Sequence, residues 1–375
     1  MDSSAATQPR TATTRIIAML NQKGGVGKTT SAVNLGAAMA QDGRRVCLID
    51  LDPQAHLTLH LGIDASEFDR TVYDLLIDPD CRAEDVLIRR ARPNLDAMLA
   101  EVDLAGAETE LAAAPDRQDI LRRKFRPLAD EYDLVLIDCP PSLGLLTLNA
   151  LALATEIFVP MQAHFLALQG VGRLLETVGL VCRSVNPALR VTGIILCMHE
   201  GQTTLAKEVV ADLDAFFQST RDQDVPWRDC RVLRPPVRRN IKLAEAPSFG
   251  KTIFDYEPWC PGALDYRKLA QHLIEHWNGQ QNEPQPAPPT AEAPAEPVIA
   301  SDGQVTSAAV DSAVAAPAEM EMKPDGEAAA RDTAETENSN ADEDSRGPAE
   351  PEISTTEENF RGPNAREGSG RPAHV

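Results

Sequence analysis

Residues 21–30 read NQKGGVGKTT and follow directly on the apolar run RIIAML. No other stretch restricts the architecture as much. Gly24, Gly25 and Gly27 let the backbone curl with its N–H groups pointing inward. The segment after them, TTSAVNLGAAMAQDG, has helical spacing and stops at Gly43, as helices commonly do. A strand, a glycine-rich loop and a helix N-terminus in that order make a cradle for phosphate oxygens. Residues Gly24, Gly25, Val26 and Gly27 line it, Lys28 reaches the β- and γ-phosphates, and Thr29, followed by Thr30, offers a hydroxyl to Mg2+. The segment reads as a nucleoside triphosphate site. Two features are unusual: Gln22 stands where the ordinary loop has glycine, and Lys23 is a second lysine that the cradle does not need.

The same strand-then-helix alternation continues along the chain. RIIAML (15–20), RVCLID (45–50), DLVLID (133–138), EIFVP (156–160) and TGIILC (192–197) are β-branched and apolar throughout, as strands buried on both faces are. The expected fold class is therefore α/β: a mostly parallel, twisted sheet with helices on both faces, its ligands at the carboxyl ends of the strands. Polar groups stand where that rule puts them. Asp50 and Asp52 alternate at the end of the second run, toward the γ-phosphate side, and Asp138 ends the third, placed to hold Mg2+ through its water shell.

Composition divides the chain. Residues 1–14 read as a loose leader, 15–278 as one folded domain, and 279–375, rich in Pro, Ala and Glu and nearly without aromatics, as a disordered acidic tail. Acidic against basic residues number 37 to 30 up to residue 278 and 20 to 6 beyond it, so the tail carries 14 of the 21 net negative charges. Whole-chain acidity thus says little about the surface of the folded part. The seven cysteines lie far apart without a C-x-x-C pair, which fits buried thiols in a reducing cytosol. No apolar run approaches the roughly 18 residues that span a bilayer. The expectation is a cytoplasmic protein without membrane attachment.

KGGVGKTT, LIDLDPQ, LIDCPPSLGLLTLNAL and LAEAPSFGK occur in an order and at spacings that resemble the ParA/Soj chromosome- and plasmid-partitioning ATPases, of the deviant Walker A class. Similarity extends through LAGAETEL (104–111) and the ALQG turn (167–170), segments without nucleotide chemistry. The resemblance implies ATP and Mg2+ as cofactors, with Thr29, Asp50 and Asp138 around the metal. It implies that Lys23 crosses a homodimer interface to the phosphates of the other subunit, so that ATP favours the dimer. It implies slow hydrolysis, with Asp52 orienting water and Lys23 and Lys28 stabilising charge, in a nucleoid-associated ATPase whose dimer holds nonspecific double-stranded DNA and is reset by a ParB-type partner.

The expected DNA contacts lie in PWRDCRVLRPPVRRNIK (226–242): Arg228, Arg231, Arg234, Arg238, Arg239 and Lys242, read as one locally basic face. Asn240 matches the family asparagine beside the adenine, although Arg238 replaces the proline of the family's IPRN. Gln202 stands where the family has an arginine linked to DNA binding, which leaves open a relative that carries protein cargo in the manner of MinD. An electron-transfer relative would need cluster cysteines, and Cys139 alone is not a cluster site. His56 and His60, and His272 and His276, have i, i+4 spacing but lack the glutamate of a zinc helix. His164 occupies a position where relatives usually carry an acid. The tail reads as a solvating extension, or as a segment that binds a partner or competes electrostatically with DNA.

Overall fold

The expected buried runs form the centre of a sheet of eight strands. The computed structural model describes residues 14–282. Its strands are β1 (Arg15–Met19), β2 (Val46–Asp50), β3 (Leu87–Arg92), β4 (Leu95–Met98), β5 (Leu134–Asp138), β6 (Glu156–Met161), β7 (Arg190–Leu196) and β8 (Arg231–Val232). They lie in the order β3-β4-β2-β5-β1-β6-β7-β8. All neighbours are parallel except β3 and β4, an antiparallel hairpin at one edge. β2, β5 and β6 are buried along their whole length, which is why their sequences are apolar without alternation.

The helices are α1 (Lys28–Gln41), α2 (His56–His60), α3 (Val72–Ile77), α4 (Leu104–Glu110), α5 (Ile120–Ala129), α6 (Leu145–Leu153), α7 (Phe165–Ser184), α8 (Thr204–Ser219), α9 (Ile241–Glu245), α10 (Ile253–Tyr256) and α11 (Pro261–Asn282). Two apolar cores result, one on each face of the sheet. Residues of α3 to α8 build the first, and residues of α1, α2, α10 and α11 build the second. α1 is buried on nearly every side, and its small residues let it approach the sheet closely. A methyl group added at Gly36 would come within 2.8 Å of Leu48 Cδ2.

Three strands were not foreseen. β3, LIRRAR, has no apolar run because it is an edge strand with Arg89 and Arg90 exposed, and β8 is only two residues long. The ALQG segment is not a turn but part of α7, and α11 continues past residue 278 to Asn282. The expected leader, except Thr14, and the tail beyond Asn282 lie outside the described residues. All seven cysteines are free and buried. Among the described residues, no helix is long and apolar enough to cross a membrane.

Candidate nucleotide site

β1 delivers the chain into the loop at residues 21–27, and α1 leaves from it. Gly25 (φ 70°) and Gly27 (φ 95°) occupy left-handed conformations that a side chain would strain. Gly27 caps α1 without any side-chain hydrogen bond, so the first N–H groups of a 14-residue helix keep their dipole for a ligand. Lys28 is buried at the foot of this loop, and among the described residues its Nζ donates only a long 3.4 Å bond, to the Lys23 carbonyl. A buried ammonium with so weak a partner is poised for an anion.

A cavity of about 600 Å³ lies above the loop, lined by Gly24, Gly25, Gly27, Lys28, Thr29, Thr30 and Asp52. Its opposite wall comes from α2, with His56 and His60, and from Pro247 and Ser248 of the LAEAPSFGK segment. The two parts of this wall meet backbone to backbone at Gly62 and Gly250, both of positive φ. A methyl group on Gly62 would sit 2.6 Å from the Gly250 carbonyl oxygen. A second cavity of about 410 Å³, more apolar, shares Gly27, Thr30 and Met198 with the first and contains Asn240, Ile241 and Tyr266. Phosphates over the loop and a base in the second cavity would make one continuous ligand.

The carboxylates divide by role. Thr29 Oγ1 donates to Asp138 Oδ2 at 2.6 Å, while Asp138 Oδ1 is buried with no hydrogen-bond partner. Burial and the charge of Asp50, its register neighbour across β2 and β5, push the Asp138 carboxyl well above the ordinary range. An orphaned carboxylate oxygen beside a threonine hydroxyl is a hard oxygen donor set that fits Mg2+. Asp50 differs from its expected place: both oxygens are engaged, Oδ1 by the Asp52 N–H and Oδ2 by the Thr58 N–H and hydroxyl, and it lies outside the cavity lining. It braces the start of α2. Asp52 does line the cavity, with Oδ1 accepting from the Gln54 N–H.

Lys23 does not line that cavity. Its side chain is exposed on the other side of the loop, beside a small cavity under α7, and Nζ lies 2.8 Å from His164 Nε2. The six basic residues of the 226–242 segment are not brought into one face. Arg238 is bound in a fork to Asp265, and Arg234 pairs with Asp214 at 2.7 Å. Arg239 pairs with Glu200 at 3.4 Å and Lys242 with Glu245 at 2.7 Å. Arg228 and Arg231 line a different cavity, at the amino ends of the strands. Gln202 is exposed in the turn before α8. Sequence reasoning missed Met198, whose positive φ of 48° sets it between the two cavities, and Thr58, whose partner Asp50 was read as a metal ligand. Nothing in local composition marks either residue.

Residues 14–191 match a family model described as an AAA domain. The chain is 41% identical over 259 residues to the sporulation initiation inhibitor protein Soj of Bacillus subtilis, an alignment covering 69% of this chain and 98% of that one. It is 45% identical over 260 residues to the chromosome-partitioning ATPase Soj of Thermus thermophilus, covering 69% and 95%. A solved structure of cobyrinic acid a,c-diamide synthase from Mycobacterium smegmatis, with bound ATP analog and magnesium, is similar with a TM-score of 0.59 at 36% identity, covering 72% of this chain and 97% of that one.

Proposed function

Because the chain belongs to the Soj/ParA family of chromosome-partitioning ATPases, we propose that it is an ATP-switched partitioning protein whose dimer holds duplex DNA and is released by hydrolysis. It is an ATPase that uses ATP and Mg2+. The phosphates lie over Gly24 to Thr30, with Lys28 turned from an ammonium lacking a strong partner into the counter-charge of the β- and γ-phosphates. Thr29 and Asp138 hold Mg2+, which when bound neutralises charge on the phosphate oxygens. Asp52, at the cavity wall, orients a water toward the γ-phosphorus. The bond to the bridging oxygen breaks as the new P–O bond forms, giving ADP and inorganic phosphate. Asp50 acts by positioning, through Thr58, the helix that bears His56 and His60.

One observation carries the switch: the second lysine of the loop points away from its own phosphate cavity. Lys23 then serves the triphosphate of a second copy, and ATP shifts the monomer–dimer equilibrium through that differential contact. Nonspecific DNA binding falls to Arg239 and its neighbours near the base cavity, and a ParB-type protein accelerates hydrolysis. The folded domain is proposed as residues 14–282.

A second reading is favoured by the ion pairs. Arg234, Arg238, Arg239 and Lys242 each have a carboxylate partner, and Gln202 replaces the family arginine. Such a surface suits a positioning ATPase with protein cargo. Retention of the full chain on arbitrary duplex DNA with ATP and with ADP distinguishes the two. ATP-dependent retention, lost in Lys23→Ala, supports partitioning; no retention with either nucleotide, alongside intact ATP-dependent dimerisation, transfers the assignment to protein cargo.

A further inference from the structure

The end of the sheet away from the nucleotide holds a cleft of about 520 Å³ whose lining includes Arg15, Arg190, Arg221, Arg228, Arg231 and His276. It forms because β1, β6 and β7 start side by side and β8 and α11 close over them. The five strand residues of β1 separate it from the phosphate loop by about 13 Å. It is a separate site.

Its charge is not balanced from within. The carboxylates in the lining are Glu156 and Asp229, against five guanidinium groups, which leaves a formal excess of three positive charges. Glu156 is taken by Arg15 and also accepts from Thr192 Oγ1 at 2.8 Å, and Asp229 pairs with Arg228 at 3.5 Å. Arg190 donates to the Pro187 and Leu189 carbonyls, and Arg231 contacts His276 Nδ1 at 3.1 Å. Among the described residues, Arg190, Arg221 and Arg231 form no ion pair with a carboxylate. Burial and the charge of Arg15 hold the Arg231 guanidinium below its ordinary pKa, the signature of cations crowded in a partly dry place. On a domain that is net acidic, such crowding is not a general surface property.

We propose that this cleft binds a small ligand bearing two or more phosphate groups. Guanidinium forks match phosphate oxygens bidentately, and the volume is that of a small-molecule site. Burial decides between a small ligand and a duplex. Arg15, Arg190 and Arg231 are half-buried at the floor, and only Arg221 and Arg228 are exposed at the rim. A terminal phosphate chain enters such a recess, whereas the backbone of a duplex meets only the rim. The inference does not depend on the partitioning role.

The test is calorimetric titration of the full chain carrying Lys28→Ala, which removes the lysine of the phosphate loop, with inorganic tripolyphosphate as probe. Saturable binding near one equivalent is expected, weakened at least tenfold by Arg221→Glu, a rim substitution that breaks no ion pair among the described residues, and unchanged by Arg126→Gln, an exposed residue of α5 outside the cleft. Arg190→Gln gives the same loss from the floor of the cleft, with circular dichroism verifying the fold. ADP binding tighter than pyrophosphate identifies the source as a nucleotide, and equal binding identifies it as an inorganic phosphate chain. Absence of saturable binding, or binding indifferent to both arginine substitutions, overturns the proposal. So does a cleft that loses a short duplex but not tripolyphosphate on Arg221→Glu.

Discussion

Lys23 and His164 show how one side chain sets the resting state of another. Lys23 Nζ lies 2.8 Å from His164 Nε2, a contact that would have to break if, as proposed, Lys23 serves a second copy. His164→Glu replaces it with an ion pair, worth up to about 1 kcal/mol at an exposed site. ATP-dependent dimerisation, followed by sedimentation, is expected to weaken two- to fivefold in His164→Glu and to be lost in Lys23→Ala. Unaltered dimerisation in both would remove Lys23 from the interface. The carboxylates make a second residue-level prediction. Burial pushes Asp50 up to about 6, and burial with the Asp50 charge raises Asp138 well above the ordinary carboxylate range. Both therefore keep protons in the folded chain that the unfolded chain has released. The contribution of this pair to stability is thus greatest below the ordinary carboxylate range and is lost as pH rises through about 6. Melting followed with a chelator present should show this decline in the native chain and a flatter profile in Asp138→Asn. That variant, relieved of one buried charge, should melt at or above the native temperature at pH 8 while losing Mg-dependent hydrolysis.

The elements differ in how visibly their sequences announce them. The five central strands are legible because each is buried on both faces, and the loop with α1 is legible because glycine spacing and helix dipole serve one purpose. β3 and β8 escaped because edge strands have no need of apolar runs, β4 because its four residues, LDAM, are too few to make one although it lies inside the sheet between β3 and β2, and the wall made by α2 and LAEAPSFGK escaped because it depends on contact between distant segments. Of the candidate site, Lys28, Thr29 and Asp52 line one cavity and Asp138 accepts from Thr29, a grouping that follows from their places just after strand ends. The spacing of Asp50 does not reveal that Thr58 donates to its carboxylate. Gly250 in the LAEAPSFGK motif now has a physical reason: it lets the wall segment touch Gly62 directly. Gly62→Ala therefore collides with backbone and strains a φ of 67°, at a cost of about 2–4 kcal/mol. Urea unfolding should register that loss. Equilibrium ATP binding should weaken at least tenfold as the wall splays; native affinity in the folded variant would mean the wall does not shape the site.

For the whole chain, charge is the dominant long-range fact. The net charge of −21 comes mostly from the segment beyond residue 278, so removing residues 283–375 leaves a far less acidic protein. If the chain holds duplex DNA, the truncated form should retain it to higher salt, with the difference closing as the Debye length shrinks below about 10 Å. Retention curves that coincide at low salt would show that the acidic segment exerts no such repulsion. The two flanks of the sheet have a consequence of another kind. One flank is a hairpin whose outer strand exposes Arg89 and Arg90, and the other is a strand of two residues. The register shift in the hairpin and the shortness of the far strand make each a poor template for a passing neighbour. The sheet is thereby spared accidental ribbon formation along its sides.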